Sequence, residues 1–272
     1  MYSIEVLIAA MNQKNADLYH RLGLKTDAVI ANQTDHYGYE EYHLNGKTVK
    51  VISTNDRGVG KNRNTAFLHA SADICLIGDD DLTYQPDYAE IIQQAFEELP
   101  NADMIVFNLT NSLSPDKRII TKISRVHLYN FLRYGAPRIA FRRTSLLKAN
   151  IWFSLLYGGG TKYSSGEDNL FLREALAKGM KIYTYPRKIA ETKQETSSWF
   201  KGFNEKYFFD RGVLIANAFP KMKHFAAFYT ALHLRSISEL SVQHTLRSLL
   251  WGIEGFRDGV TYEEWKEKAE GG

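Results

Sequence analysis

Three consecutive aspartates, Asp79, Asp80 and Asp81, follow the apolar run at residues 72–78. The Ile and Leu content of this run and its abrupt polar end predict a short buried strand. Side chains alternate faces along a strand, so we expect Asp79 and Asp81 to point to one side and Asp80 to the other. Two carboxylates aimed at one place repel each other unless a cation lies between them. The triplet therefore predicts a site for Mg²⁺ or Mn²⁺ shared with phosphate oxygens, and a solvated acidic turn is the alternative.

A second cluster, DRGVGKNRN at residues 56–64, combines glycines with basic residues at the start of a predicted helix. Gly58 and Gly60 would let backbone amides approach an anion. Three basic side chains would supply positive charge there: Arg57, Lys61 and Arg63. The cluster is not a Walker A loop, because Asn55 stands where that motif has its first glycine and Asn62 where it has Ser or Thr. It predicts an anion-binding turn, and a glycine turn before an exposed basic helix is the alternative.

A third cluster, at residues 164–176, reads SSGEDNLFLREAL. Glu167 and Asp168 open a predicted helix at 167–178, where the helix dipole favours carboxylates, so a purely structural role is one explanation of the pair. The glycine-rich loop at 158–166 precedes them and would bring the pair to the mouth of a cleft. A catalytic role is the other explanation, and the residues alone leave both open.

Strands and helices alternate through the first half of the chain. Predicted strands lie at 4–10, 28–31, 49–53, 73–77 and 104–108, and predicted helices at 15–22, 62–70 and 88–99. A further strand is predicted at 181–185, ended by Pro186. This alternation predicts an α/β fold with a doubly wound, mostly parallel, Rossmann-like sheet. Ligands of such sheets bind beyond the carboxyl ends of the strands, where the aspartates fall.

The chain changes character after residue 200. Between residues 201 and 251 there are seven Lys or Arg against three Asp or Glu. Apolar residues repeat there at helical spacing in two stripes: Phe225, Phe228, Tyr229, Leu232, and Val242, Leu246, Leu249, Leu250, Ile253. The pattern predicts two amphipathic helices packing as an appendage, and hence an α/β domain at 1–200 and a helical region at 201–272. Contact of these helices with a membrane surface, a partner or a second copy of the chain stays open.

Composition narrows the class of protein. Hydrophobic residues make up 44% and charged residues 24% of the chain, and the net charge of +3 is too small to indicate a nucleic-acid partner. The single Cys75 excludes a disulfide framework and favours a reducing compartment. No secretion signal and no apolar run of membrane-spanning length are evident, so we expect a cytoplasmic protein, with the inner face of the plasma membrane left open. The GxSxG and HExxH motifs of hydrolases do not occur.

Taken in order, the clusters resemble a GT-A glycosyltransferase of family 2, the inverting nucleotide-sugar enzymes of bacterial exopolysaccharide, capsule and lipopolysaccharide assembly. The resemblance rests on five segments: IAAMNQ after the first strand, ANQTD after the second, Gly58–Asn64, Asp79–Asp81 as the DxD element, and Gly166–Asp168 as the Glu-Asp element. It covers residues 3–190. One departure concerns Asn32, which stands where the family usually has a uracil-contacting aspartate.

The resemblance implies a function and a set of site residues. The expected donor is a nucleotide-diphosphate sugar with UDP as its nucleotide. It would bind at Ala10, Asn12, Asn32, Arg57, Lys61, Arg63, Asp79 and Asp80. Mn²⁺ or Mg²⁺ would be held by Asp79 and Asp81, Asp168 would be the general base with Glu167 beside it, and Trp199 would contact the acceptor. The acceptor would be a saccharide or a lipid-linked saccharide. The alternatives are a nucleotidyltransferase that makes sugar nucleotides and a non-catalytic GT-A partner subunit.

Overall fold

The computed structural model describes residues 1–111, 119–192 and 202–270. The chain forms two compact units: unit 1 comprises Met1–Ser154 and Phe171–Glu195, and unit 2 comprises Leu155–Leu170 and Thr196–Gly272. The chain passes from unit 2 back to unit 1 within a single helix. The domain boundary predicted at residue 200 stays a prediction.

Unit 1 is built on one mixed sheet, to which the described residues contribute ten strands. The strands are β1 (Ile4–Met11), β2 (Asp27–Gln33), β3 (Gly38–Leu44), β4 (Lys47–Thr54), β5 (Ile74–Asp79), β6 (Leu82–Tyr84), β7 (Met104–Asn111), β8 (Ser124–Arg125), β9 (Ile139–Arg142) and β10 (Ile182–Thr192). Their order is β3-β4-β2-β1-β5-β9-β7-β10-β6, and β8 pairs with β10. Strands β4, β2, β1 and β5 run parallel, whereas β9 is antiparallel to both of its neighbours. The predicted mostly parallel α/β sheet is confirmed.

Helices cover both faces of this sheet. They are α1 (Asp17–Arg21), α2 (Val59–Leu68), α3 (Tyr88–Glu98), α4 (Arg143–Ala149) and α5 (Glu167–Ala177), the last beginning in unit 2. Alternate residues of β1, such as Val6 and Ile8, pack in one core cluster with Tyr19 of α1 and Phe96 of α3. Helix α2 contacts β1 and β2. Strands buried on both faces need near-continuous apolar runs, which is why the sequence IEVLIAAM of β1 lacks strict alternation.

The predicted end of the last strand at Pro186 is wrong. Strand β10 continues through the proline to Thr192, and its pairing with β7 shifts register between Thr184 and Lys188. Proline has no N–H to donate to a ladder, so strands accommodate it at edges or bulges. The irregularity in the pairing places Pro186 where it interrupts no regular ladder.

Besides the first turn of α5, unit 2 contains four complete helices within its described residues: α6 (Glu205–Ala218), α7 (Lys223–His233), α8 (Val242–Asp258) and α9 (Tyr262–Glu270). Helices α6 and α8 cross closely at Gly212 and Gly252, where a Cβ on Gly252 would lie 1.9 Å from the Phe209 carbonyl oxygen. The two predicted stripes have different fates. The α8 stripe buries Leu249 and Ile253, as predicted, but the α7 stripe is exposed, so the prediction that it packs is wrong. Among the described helices, none has the length and apolar character needed to cross a membrane.

Candidate active site

The carboxyl ends of four parallel strands meet at one edge of the unit 1 sheet. The register pairs Ala10 of β1 with Asn32 of β2, Asn32 with Ser53 of β4, and Ala9 of β1 with Asp79 of β5. Three of the five segments on which the family resemblance rests therefore come together here: the segment after β1, the segment after β2 and the aspartate triplet. This edge is where ligands of doubly wound sheets bind.

A cavity of about 400 Å³ lies beyond the ends of β1, β2 and β4. Its volume suits a small-molecule ligand. The lining residues come from three segments: Asn12, Gln13, Lys14; Thr34, Asp35, His36, Glu40; and Val51, Ser53, Arg57. Most of these side chains are polar: Lys14 and Arg57 bring positive charge, and Asp35 and Glu40 bring negative charge. The cavity can therefore offer hydrogen-bond donors and acceptors to a polar ligand, and its two cations to an anionic group of that ligand.

Asn32 is hydrogen-bonded to Gln13, one of the residues that line this cavity. Its side chain is buried at 1% exposure, where its Oδ1 accepts from the Gln13 amide at 2.9 Å and its Nδ2 donates to the Gln13 carbonyl at 2.7 Å. The paired bonds fix the backbone beside Asn12, which adopts a left-handed conformation with φ of 54°. Asparagine tolerates that conformation better than most residues. Asn32 thus shapes the segment after β1, and direct contact of Asn32 with a base stays a prediction.

The end of β2 and the segment after it are held by hydrogen bonds with the segment that follows β4. The Arg57 guanidinium donates to the Thr34 carbonyl at 2.8 Å, and the Gln33 side chain donates to the Gly58 carbonyl at 3.0 Å. His36 lies 2.9 Å from the Asp35 carboxylate through its Nδ1. That hydrogen bond, with a smaller contribution from the Asp35 backbone, lowers the pKa of Asp35. Asp35 thus presents a carboxylate at the cavity wall.

Helix α2 brings the glycine turn against the strand ends, but its two predicted cations differ. Arg63 is 6% exposed and pairs with Asp79 at 3.0 Å, with its guanidinium over the Phe153 ring at 5.4 Å from the centroid. Lys61 is half exposed and pairs with Asp56 at 2.6 Å. Arg63 therefore positions an aspartate of the triplet, whereas Lys61 remains on the solvent side of the helix.

Other α2 side chains bond backbone groups of unit 1. The Asn62 side chain donates to the Ala10 carbonyl at 3.1 Å, so the end of β1 is tied to the helix. Asn64 forms paired bonds of 2.9 Å with the backbone of Phe153. Gly60 lies so close to this segment that a Cβ would fall 2.2 Å from the Ser154 carbonyl oxygen. The glycine is thus required for close packing of the helix.

The aspartate triplet occupies a turn. Strand β5 ends at Asp79, and Asp80 and Asp81 form the turn into β6, so the expected alternation of all three along a strand is wrong. The Asp80 carboxylate accepts from the Met11 amide at 3.1 Å and from the Gln13 side chain at 3.4 Å. The Asp81 carboxylate accepts from the Thr192 hydroxyl at 3.1 Å. Asp80 thus links the triplet to the cavity segment after β1.

Burial raises the pKa of both Asp80 and Asp81, and the negative charge of Asp79 raises each further. Raised carboxyl pKa values mean that the anionic forms are destabilised where they stand, so a cation beside them would be stabilising. In the described parts of the chain, His, Cys, Asp and Glu nowhere form a group of three that could hold a metal. The triplet therefore fits a Mg²⁺ or Mn²⁺ ion that takes one or two carboxylates and completes its shell with phosphate oxygens and water.

Glu167 and Asp168 begin helix α5, as predicted. The Asp168 carboxylate accepts from the Asn169 amide at 2.7 Å, a contact expected of an acidic residue in a first helical turn. Gly166 precedes them with φ of 114°, and a Cβ there would lie 2.8 Å from Leu214 Cδ1 of α6. Glu167 and Asp168 belong to unit 2 and the aspartate triplet to unit 1. The predicted acceptor residue Trp199 lies outside the described residues.

The sequence patterns did not identify several cavity residues. Gln13 and Thr34 fall within the segments IAAMNQ and ANQTD but were not singled out there, and Lys14, His36 and Ser53 belong to none of the named motifs. Their common signal is position: each lies at the carboxyl end of a parallel strand or within three residues after it. The rule that ligands bind at that edge selects such positions once the strand ends are known.

Comparisons with known proteins agree with this architecture. The family model described as Glycosyl transferase family 2 matches residues 37–153. Among solved structures, S. aureus TarS 1-349 in complex with UDP-GlcNAc matches with a TM-score of 0.59 at 15% identity, over 96% of this chain and 93% of that one. The uncomplexed S. aureus TarS 1-349 has a TM-score of 0.60 at 14% identity, and the complex with UDP 0.59 at 14%, with the same coverage of both chains. No curated protein matches the sequence.

The fold and the strand-end site together define an α/β protein of the GT-A type. Residues 37–153, which carry both the glycine turn and the aspartate triplet, match the glycosyltransferase family 2 model. The resemblance predicted from the sequence is therefore confirmed.

Proposed function

We propose that this protein is a glycosyltransferase that moves a sugar from a nucleotide-diphosphate donor, with UDP as the nucleotide, to a saccharide or lipid-linked saccharide. The observation that carries the proposal is the cavity beyond β1, β2 and β4, which hydrogen bonds connect through Gln13 to Asp80. A base and ribose in the cavity would place a diphosphate toward the triplet. The family 2 match and the UDP and UDP-GlcNAc complexes of the structurally similar TarS support the same donor class.

The residues of the cavity have defined tasks in this proposal. Asn32 holds the segment after β1 in place, and Lys14 and Arg57 attract the anionic donor. Asp79, which Arg63 holds in place, and Asp81 would hold the cation, and Asp80 would lie on the donor side, beside Gln13. When bound, Mg²⁺ or Mn²⁺ supplies positive charge that offsets the charge of the departing diphosphate.

Asp168 is the proposed general base, with Glu167 beside it at the acceptor. The Asp168 carboxylate would accept the proton of the acceptor hydroxyl as that oxygen bonds to C1 of the sugar, opposite the C1–O bond that breaks to the diphosphate. Attack from the opposite face inverts the anomeric centre. The support is the Gly166–Asp168 element of the family and its place at the start of α5.

A panel of UDP- and GDP-sugars tests the proposed donor class, with release of the nucleoside diphosphate measured with and without Mn²⁺. We expect turnover of at least one UDP-sugar and its loss in excess EDTA. Cleavage of a nucleoside triphosphate with no use of any sugar nucleotide would instead favour the nucleotidyltransferase. Absence of both activities, with no nucleotide bound, would favour the non-catalytic partner subunit.

Replacement of the proposed base tests the mechanism separately. Asp168→Asn keeps the shape of the side chain but removes the proton acceptor, so transfer should fall about 10²- to 10⁴-fold. Donor affinity, measured by calorimetry, should change little. Glu167→Gln is the matched variant: if it abolishes transfer while Asp168→Asn stays active, the two roles are reversed, and if neither matters, the assignment is wrong.

A further inference from the structure

Helix α7 of unit 2 exposes its large apolar side chains and buries its small ones. The exposed set, here named the α7 apolar face, comprises Phe225 (64% exposed), Phe228 (50%), Tyr229 (59%) and Leu232 (41%). Ala227 and Ala231, on the opposite side, are fully buried in a cluster with residues of α6 and α8. A helix that only stabilised the fold would turn its aromatic stripe inward. Contiguous exposed apolar side chains of this size mark an interaction surface.

The charged residues in the chain segment that carries this face have one sign. Residues 211–238 contain no Asp or Glu, but they contain Arg211, Lys221, Lys223 and Arg235. Lys221 and Arg235, one before and one after the helix, are exposed. The flanking acidic residues along the chain are Asp210, which is buried, and Glu239. The occupant of the face is therefore expected to be apolar at its centre and negatively charged around it.

We propose that the α7 apolar face docks on an anionic lipid surface, with the helix lying in the plane of the headgroups. Aromatic and aliphatic side chains beside Lys and Arg are the composition that favours this interfacial position. Tyr229 suits it because its ring is apolar while its hydroxyl can bond to headgroups or water. Pairing with the same face of a second copy is less favourable, because it would bring Lys221 and Arg235 against cations with no carboxylate between residues 211 and 238 to offset them.

Co-sedimentation of the full chain with vesicles tests this proposal. Vesicles of phosphatidylcholine with about 30 mol% phosphatidylglycerol, which carry a negative surface charge, are compared with vesicles of phosphatidylcholine alone. We expect binding to the anionic vesicles that weakens with salt. Phe225→Ser/Phe228→Ser should lower the partition coefficient about tenfold or more for each ring. Lys221→Gln/Arg235→Gln should lower it roughly 30-fold, since each basic residue contributes about 1 kcal/mol near such a surface.

Matched variants separate the face from general effects. Leu68→Ser replaces an apolar residue that is 67% exposed on α2, and Lys47→Gln/Lys148→Gln removes two exposed charges from unit 1. These controls should bind like the wild type. Circular dichroism checks that each variant folds, as expected when only exposed side chains change. No binding to anionic vesicles, equal binding by all variants, or a self-association that the Phe225→Ser/Phe228→Ser variant abolishes would each overturn the proposal.

Discussion

Arg63 and Asp79 form the ion pair on which the position of the triplet depends. We predict that Arg63→Met destabilises unit 1, because the substitution leaves the Asp79 charge without its partner at 3.0 Å. Removing one partner of a buried pair costs roughly 3–5 kcal/mol when both groups are buried. Here the Arg63 side chain is 6% exposed but that of Asp79 is 30% exposed, so water screens part of the loss. We therefore expect a decrease of about 2–3 kcal/mol in the free energy of unfolding.

Helix α2 also carries one partner of a second ion pair, which is more exposed and serves as the control. Lys61 and Asp56 approach to 2.6 Å, closer than the first pair, but their side chains are 45% and 33% exposed. Exposed pairs contribute about 0–1 kcal/mol, so Lys61→Met should have little effect. The comparison therefore tests whether burial, rather than distance, decides the contribution of each pair.

Urea denaturation followed by circular dichroism gives both free energies. Asp79→Asn and the double variant Arg63→Met/Asp79→Asn complete a double-mutant cycle, and we expect a coupling energy of at least about 1 kcal/mol. The idea fails if Arg63→Met is no more destabilising than Lys61→Met, or if the two single effects simply add.

Two further predictions concern helix packing and pH. Gly252→Ala would place a Cβ 1.9 Å from the Phe209 carbonyl oxygen, so it should destabilise unit 2 by about 1–3 kcal/mol. Gly38→Ala is the control and should be tolerated, because the nearest atoms to its Cβ would be 3.8 Å away. Thermal melting of the two variants makes the comparison. Because the pKa values of Asp80 and Asp81 are raised, both carboxyls take up protons above the usual range for aspartate, and metal-dependent donor affinity should weaken as the pH falls through that region. Folding stability without ligand should depend on pH in the opposite direction to donor affinity. Protonation of Asp80 and Asp81 removes their unfavourable buried charge, so their contribution to stability is present at low pH and is lost as the pH rises through the raised pKa values. Calorimetric titration of donor at several pH values checks the first effect, which a constant affinity would contradict.

Much of unit 1 could be predicted from the sequence, because its parallel strands are continuous apolar runs with polar ends. The runs at 4–10, 28–31, 49–53, 73–77 and 104–108 all lie within or overlap observed strands. Strand β3 was missed although a signal existed: Asn45 and Gly46 have φ of 53° and 75°, as an Asn-Gly hairpin turn requires. Strand β9 has no comparable signal, because it is only four residues long and its pairing with β5 and β7 joins residues far apart in the sequence.

The candidate site was predictable by region rather than by side-chain role. The aspartate triplet and the glycine turn fall at the expected edge of the sheet, but nothing in the sequence distinguishes Arg63, buried on Asp79, from Lys61 two residues earlier. That difference arises from the direction in which each side chain leaves α2. The α7 apolar face shows the same limit: helical spacing of aromatic residues indicates an amphipathic helix, but not whether its apolar side faces the protein or its surroundings.

Binding of UDP to the purified chain is the measurement that tests the proposed function most directly. Calorimetric titration in the presence of Mg²⁺ should show one site in the wild type and at least about tenfold weaker binding in Lys14→Gln/Arg57→Gln, which removes two cations from the cavity wall. The control Lys25→Gln/Lys47→Gln, which removes two exposed charges outside the cavity lining, should bind UDP like the wild type. Absence of UDP binding by the wild type, or equal weakening in both variants, would contradict a nucleotide site at the carboxyl edge of this sheet.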